Sequence, residues 1–150
     1  MHQPGPGRGS HDHHPWRRFS LLTDWSLRWA ELPEGVMGLT CHRSRTVTLA
    51  LGMSQAERRC TIAHETEHIL RGPVDPSGAL REELVIDRAV ARLLMPSAAA
   101  VAEALVGARG HLEAAADGLW VDDYLLQVRL ASLTPVERER IRRRFGSWPP

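Results

Sequence analysis

The sequence predicts an α+β protein in which a small, largely antiparallel three-stranded sheet comes first and helices fill the rest of the chain. Apolar and polar residues alternate along residues 25–29, which is typical of a half-buried strand, and two further short β-rich runs follow. Beyond residue 54 the pattern changes to capped, alanine- and leucine-rich segments that indicate helices. The three expected strands are 25–29, 36–41 and 46–51.

Two capping boxes mark expected helix starts. Ser54 and Glu57 should begin a helix that runs to about Leu70, and Thr134 with Glu137 should begin the last helix. In a capping box the two side chains satisfy backbone amides that have no partner within the helix. The other expected helices are 80–95, 97–108, 111–119, 122–133 and, after Thr134, 135–144.

Composition limits the class of protein. The chain has 150 residues, which suits a single domain, and its formal net charge of +1 favours neither a strongly basic nucleic-acid binder nor an acidic tail. The two cysteines are too few for a disulfide framework, so we expect both to be reduced. No apolar run approaches the ~18 residues of a membrane span, and the N-terminus lacks the apolar segment of a signal peptide. A soluble, cytoplasmic protein is therefore expected, with no membrane partner.

Three regions are expected along the chain. Residues 1–15 are rich in glycine, proline and histidine and predict a disordered tail. Residues 16–96 would form the core, and residues 97–150 a helical C-terminal subdomain with a helix–turn–helix-like segment at 112–133. Reading DNA would need basic residues on the second helix of that segment, and only Arg129 is there. Direct binding of nucleic acid is therefore not expected.

The helix expected after Ser54 carries the candidate chemistry. His64 and His68 are four residues apart, so both imidazoles lie on one helix face, where they can bind one metal ion. Zinc accepts neutral imidazole nitrogen and keeps a position for water in catalytic sites. Glu65 lies about 100° around the helix, where it can act as a general base toward that water. The alternative is a pair of ordinary histidines on a charged helix.

Zinc needs a third protein ligand, and two glutamates on the next helix are candidates. A histidine six residues after His68 would complete a different zinc motif, but that position is Val74. Glu83 is favoured because Asp87 follows four residues later on the same face, where it could orient a liganding histidine. Glu82 remains the alternative ligand, since glutamates near a helix start also suit the helix dipole.

Three further side chains are candidates for stabilising a developing oxyanion. They are the isolated histidines His42 and His111 and the one tyrosine of the chain, Tyr124. A purely structural role is the alternative for each of them.

Three stretches together resemble the ImmA/IrrE family of metallo-endopeptidases. They are the sequence RRCTIAHETEH at 58–68, Glu83 with Asp87, and the sequence ARLLMP at 91–96. The resemblance covers roughly residues 20 to 96. It implies a zincin-like, gluzincin-type core in which a sheet packs on the HExxH helix and a glutamate helix. It also implies that His64, His68 and Glu83 bind Zn²⁺ and that Glu65 is the catalytic base.

The resemblance also implies a substrate class. Members of this family cleave a helix–turn–helix transcriptional repressor at a specific site and so relieve repression, in phage, mobile-element or stress regulation. This chain departs from the family at residues 66–67, where small residues are usual, and it lacks a phenylalanine on the glutamate helix. A second hypothesis is a non-catalytic zinc-binding regulator that binds a repressor or DNA through its helical C-terminal part. Glu65 distinguishes the two, because a protein that only binds has no need of that carboxylate.

Overall fold

The computed structural model describes residues 14–146 and confirms the α+β class. Within this range a three-stranded sheet is followed by most of the helices, and a 3₁₀ turn at Pro76–Gly78 precedes the third of them. The strands are β1 (Ser26–Ala30), β2 (Gly38–Cys41) and β3 (Thr46–Ala50). The helices are α1 (Pro15–Ser20), α2 (Gln55–Arg71), α3 (Ala79–Leu94), α4 (Ala98–Gly107), α5 (Leu112–Leu119), α6 (Asp123–Ala131) and α7 (Pro135–Phe145).

The sheet is mixed, so the prediction of a largely antiparallel sheet is wrong for one of its two strand pairs. The strand order is β1-β3-β2; β2 and β3 form an antiparallel hairpin, whereas β1 runs parallel to β3. The segment after β1 carries the chain past β3, so that β2 becomes the strand on the far edge. The alternation of apolar residues predicts that a strand is half-buried but does not predict its neighbour, which explains the error.

The helix predictions agree with the structure to within two residues at each end, apart from α1, which was not predicted. Both capping boxes form: Ser54 with Glu57 at α2, and Thr134 with Glu137 at α7. The tail predicted at residues 1–15 lies outside the described residues up to residue 13. Pro15, by contrast, begins α1 and is buried.

The sheet packs on α2 through a small apolar cluster. Val47 and Leu49 point from the central strand toward Ile62 of α2, and all three are fully buried. Phe19 of α1 joins the same cluster, and Arg18 forms an ion pair with Glu67 of α2. The middle of α2 is therefore packed against the sheet and α1, which also fixes the direction of the side chains on its other faces.

A second, larger core joins α2 and α3 to the C-terminal helices. It includes Ala63 of α2, Ile86 and Val90 of α3, and Val101 and Leu126 from beyond residue 96. Burial of such apolar side chains contributes about 1.5–3 kcal/mol each for the larger ones. The boundary between the core and the C-terminal subdomain at residue 96 stays a prediction. Residues from both sides of it share this apolar core.

A buried arginine holds the C-terminal helices against α3. Arg129 of α6 is fully buried, donates to the carbonyl oxygen of Met95 at 2.8 Å, and pairs with both carboxylate oxygens of Glu137. Arg92 of α3 reaches the same glutamate and the carbonyl oxygen of Ser132. Arg129 is the one basic residue on the second helix of the helix–turn–helix-like segment. Because it is fully buried, it is not available to contact DNA.

In the described part of the chain, no single helix is long and apolar enough to cross a membrane. One pair of helical segments, Pro76–Leu94 with Ala98–Gly107, meets the criteria of length and composition only when the two are taken together across a bend of 78°.

The Arg129–Glu137 pair predicts a specific loss of stability. Glu137→Gln should lower the free energy of unfolding by about 3 kcal/mol, because it leaves the buried guanidinium without its counter-charge. The control is Glu139→Gln on the same helix, which removes only the exposed pairs with Arg142 and Arg143 and should have little effect. Urea unfolding of both variants measures the difference.

The same pair predicts how stability depends on pH. The hydrogen bond from Arg129 lowers the pKa of Glu137 from 4.5 to about 2 in the folded chain. Because the folded pKa is the lower one, this stabilisation is present above pH 4.5 and is lost as the pH falls toward 2. In the Glu137→Gln variant the free energy of unfolding should depend less on pH in that interval. If Glu137→Gln and Glu139→Gln lower the free energy of unfolding equally, the buried ion pair has no special role in stability.

Candidate metal centre

Helix α2 presents both histidines of the motif to one side. Its start is fixed by the capping box, in which the Ser54 side chain accepts from the backbone N–H of Glu57 and the Glu57 carboxylate accepts from the backbone N–H of Ser54. One turn separates His64 from His68, and their ring centroids are 4.9 Å apart. The expected placement on a single helix face is therefore observed.

Glu83 of α3 lies between the two histidines. The Nε2 atoms of His64 and His68 are 3.1 Å apart, and each lies 2.9 Å from a different oxygen of the Glu83 carboxylate. These three side chains therefore form a compact set of nitrogen and oxygen donors of the kind that could hold a metal ion. Two imidazole nitrogens this close repel each other unless a cation or a proton lies between them.

The donor set fits a zinc ion chemically and by size. Ligands about 2.0–2.1 Å from a tetrahedral zinc ion lie about 3.3 Å from one another. The separations of 2.9–3.1 Å in the triad therefore need to widen by only a few tenths of an ångström. The Glu83 side chain is 46% exposed, so the centre is open to solvent on its side. A fourth position for water is what distinguishes catalytic zinc sites from structural ones.

Asp87 contacts the second nitrogen of the His64 imidazole, as the four-residue spacing from Glu83 predicts. Its Oδ1 lies 3.1 Å from Nδ1 of His64, which favours the tautomer with the proton on Nδ1 and a free electron pair on Nε2. Asp87 is in turn held by Tyr124 of α6, whose hydroxyl donates to Oδ2 at 2.6 Å. The sequence suggests Tyr124 only as an oxyanion donor, because no local pattern predicts a contact between residues 37 positions apart.

The structure distinguishes between the two candidate glutamates. Glu82 forms a two-pronged ion pair with Arg71 at the end of α2, with a second contact of 3.0 Å. Glu83, one residue later, points into the histidine pair. Because consecutive helical residues point about 100° apart, the two carboxylates reach different parts of α2: Glu82 its last residue, and Glu83 the two histidines.

Glu65 lies beside the triad in a tight pocket below the sheet edge. Its side chain is only 5% exposed, and Oε2 accepts a hydrogen bond of 2.7 Å from the Thr40 hydroxyl of β2. A Cβ at Gly38 would approach Thr61 to 2.7 Å and Oε1 of Glu65 to 2.8 Å, so only glycine fits there without displacement. Neither Thr40 nor Gly38 was singled out from the sequence, since both lie on a strand far from the motif.

The electrostatics of these groups suit proton transfer. Burial raises the pKa of Glu65 despite the hydrogen bond from Thr40 and the nearby histidines. Burial alone would lower the pKa of His64, but the hydrogen bond with Asp87 and the charges of Glu65 and Glu83 outweigh it and raise that pKa. The hydrogen bond to Asp87, with burial, raises the pKa of Tyr124 to about 12, so its hydroxyl remains a donor at neutral pH.

The two isolated histidines lie in different surroundings. His42 follows β2, packs edge-on against Trp25, and lines a cavity of about 390 Å³ that also borders His64 and Glu65. His111 is the exposed N-cap residue of α5, and its side chain makes no capping hydrogen bond. His42 is therefore the nearer of the two to the triad.

Comparison with models of protein families, with curated proteins and with solved structures finds no match to this chain. The resemblance to the ImmA/IrrE family therefore stays a prediction from the motifs.

The candidate metal centre predicts that substitutions of two neighbouring glutamates differ in their effect on zinc binding. We expect purified protein to contain about one zinc ion per chain, and Glu83→Ala or His64→Ala to weaken zinc binding more than about 100-fold. Glu82→Ala is the matched control, because it removes an adjacent carboxylate that pairs with Arg71 instead. Metal analysis after dialysis against a weak chelator measures this. Zinc lost from the Glu82 variant and retained in the Glu83 variant would contradict the assignment.

Proposed function

We propose that this protein is a zinc-dependent metallo-endopeptidase. The observation that carries the proposal is the placement of a buried carboxylate, Glu65, beside a triad of two histidines and a glutamate at the edge of an open cavity. Structural zinc sites use four protein ligands and need no adjacent base. A three-donor set next to a carboxylate of raised pKa is instead the arrangement used for hydrolysis.

His64, His68 and Glu83 would hold the zinc ion. When bound, zinc supplies the positive charge that polarises the scissile carbonyl and lowers the pKa of a water molecule toward about 7. Asp87 keeps His64 in the tautomer that can bind a metal, and Tyr124 keeps Asp87 in place. The two side chains therefore act on the site through His64, without touching the substrate.

Glu65 would move the proton. It accepts a proton from the attacking water as the water oxygen bonds to the carbonyl carbon of the peptide. It then delivers that proton to the amide nitrogen as the C–N bond breaks, so that a carboxylic acid and an amine leave the site. Thr40 holds one carboxylate oxygen, which leaves the other oxygen of Glu65 free for this transfer.

The substrate proposed from the ImmA/IrrE resemblance is a helix–turn–helix transcriptional repressor, cleaved at a specific site to relieve repression. The carboxylates around the triad support a protein rather than a nucleic acid as the bound molecule, because phosphates would be repelled there. The burial of Arg129 also argues against the alternative of a regulator that reads DNA through α6. We propose a cytoplasmic location on the same basis as the substrate.

Substitution of the proposed base tests this function. Glu65→Gln should retain zinc and lower kcat for peptide hydrolysis by about 100- to 10,000-fold, because the amide cannot accept the proton. Glu67→Gln is the matched control on the same helix, since Glu67 pairs with Arg18 and lines neither cavity in the described part of the chain. Mass spectrometry of a random peptide library measures cleavage. Hydrolysis that survives in the Glu65 variant would remove this residue as the base.

The substrate class needs its own experiment. Purified helix–turn–helix repressors encoded beside this gene should be cut once by the zinc-loaded protein and left intact by the Glu65→Gln variant. Cleavage of peptides without cleavage of any such repressor would keep the peptidase activity and reject the proposed substrate.

A further inference from the structure

An open cavity of about 870 Å³ extends from the triad toward the C-terminal helices. His64, Glu65 and Glu83 line it together with the segment around Gly35, and α5 with α6 forms its C-terminal wall. Its volume is within the range of cavities that bind ligands, and it is large enough for several residues of a peptide. A substrate whose scissile bond lies at the triad would therefore extend into this cavity.

Glu65 indicates that the part of the cavity beside the triad binds a ligand. Its carboxylate is more than nine-tenths buried and borders the cavity, and Thr40 donates to Oε2. Among the described residues, Oε1 accepts no hydrogen bond. A buried carboxylate oxygen without a partner is unfavourable unless a bound molecule satisfies it.

The wall formed by the C-terminal helices is strongly acidic. Beyond the carboxylates of the metal centre, the cavity is lined by five more, and none of the residues that line it in the described range is an arginine. The chain has no lysine. The buried Arg59 donates to the carbonyl oxygen of Trp120 and is not part of the lining. Four of the five lie on the C-terminal wall, at Glu113, Asp117, Asp122 and Asp123, and the fifth is Glu57 of α2.

Taken singly, four of these five carboxylates have a structural explanation. Glu57 belongs to the capping box of α2, and Asp122 caps α6 through the backbone N–H of Leu125. Asp123 lies in the first turn of α6 and Glu113 in the first turn of α5, where the helix dipole favours negative charge. Their presence therefore does not require a ligand.

The pairing of Glu113 with Asp117 on α5 has no such explanation. They are four residues apart on one helix face, where like charges repel each other. Asp117 also lies in the last turn of α5, where the helix dipole disfavours a carboxylate. Both are exposed, and neither forms an ion pair within residues 14–146. Local arrangements that work against the stability of a helix are expected at functional surfaces.

We propose that this wall binds a basic segment of the protein substrate, with arginine or lysine side chains against Glu113 and Asp117. The proposal rests on the proposed peptidase function and specifies its substrate preference. An extended peptide with its scissile bond at the triad would place these basic residues on one side of the cleaved bond. Carboxylate pairs suit guanidinium groups in particular, because the two partners form charge-assisted hydrogen bonds.

The first test measures binding alone. The probes are fluorescent twelve-residue peptides of alternating alanine and arginine, or alanine and glutamine, added to the zinc-loaded Glu65→Gln protein so that no cleavage occurs. The arginine peptide should bind tighter, and the double variant Glu113→Gln/Asp117→Asn should weaken it about fivefold to tenfold. Glu103→Gln/Glu139→Gln changes the net charge equally, away from the cavity, and should have little effect. Equal binding in the two double variants would overturn the proposal.

The second test measures specificity during cleavage. Products of a random peptide library should be enriched in arginine and lysine on one side of the cut bond, and Asp117→Arg should shift that enrichment toward glutamate. The double variant should raise KM for basic peptides and leave kcat unchanged, because the two residues do not touch the reacting atoms. Thermal unfolding checks that the variants fold; removing repulsion within α5 should not lower Tm.

The outcomes separate this proposal from the proposed function. If the wild-type protein cleaves no peptide, the peptidase function fails, and the binding measurement still decides whether the acidic wall selects basic peptides. If the wild-type protein cleaves peptides with no preference for basic residues, the function stands and this inference is wrong.

Discussion

The imidazole of His64 is held at both of its nitrogen atoms by one helix, and the rest of the site depends on this contact. Glu83 lies 2.9 Å from Nε2, and Asp87, one turn further along α3, lies 3.1 Å from Nδ1. Both contacts form only when α2 and α3 pack at a particular distance and with particular rotations about their axes. The sheet fixes α2 from one side, and the core shared with the C-terminal helices fixes α3 from the other.

That requirement explains why residues far from the motif matter to it. Tyr124 comes from α6 and fixes Asp87, while Thr40 and Gly38 come from the edge strand and fix Glu65. A catalytic group that is off by an ångström loses much of its effect, so such supporting contacts are part of the site. The ion pair between Arg129 and Glu137 acts further away, because it keeps α6 and α7 attached to α3.

Local sequence patterns predicted those parts of the structure that depend on neighbours in the chain. The capping boxes located the starts of α2 and α7, and the four-residue spacings placed His64 with His68 and Glu83 with Asp87. The parallel pairing of β1 and the contact between Tyr124 and Asp87 depend on residues that are distant in sequence. No periodicity encodes such contacts, so they could not be predicted from one sequence. The spacing to Asp87 favours Glu83 over Glu82 as the third ligand. The helix geometry gives the physical reason, because Glu82 is directed to Arg71 instead.

X-ray absorption spectroscopy of the purified, zinc-loaded protein tests the central claim most directly. We expect a first coordination shell of nitrogen and oxygen at about 2.0–2.2 Å, with outer-shell scattering from two imidazole rings. Glu83→Ala should lose this spectrum, because the third protein ligand is gone. Sulfur at about 2.3 Å would instead show that Cys41 or Cys60 binds the metal, and a shell without imidazole scattering would contradict the account.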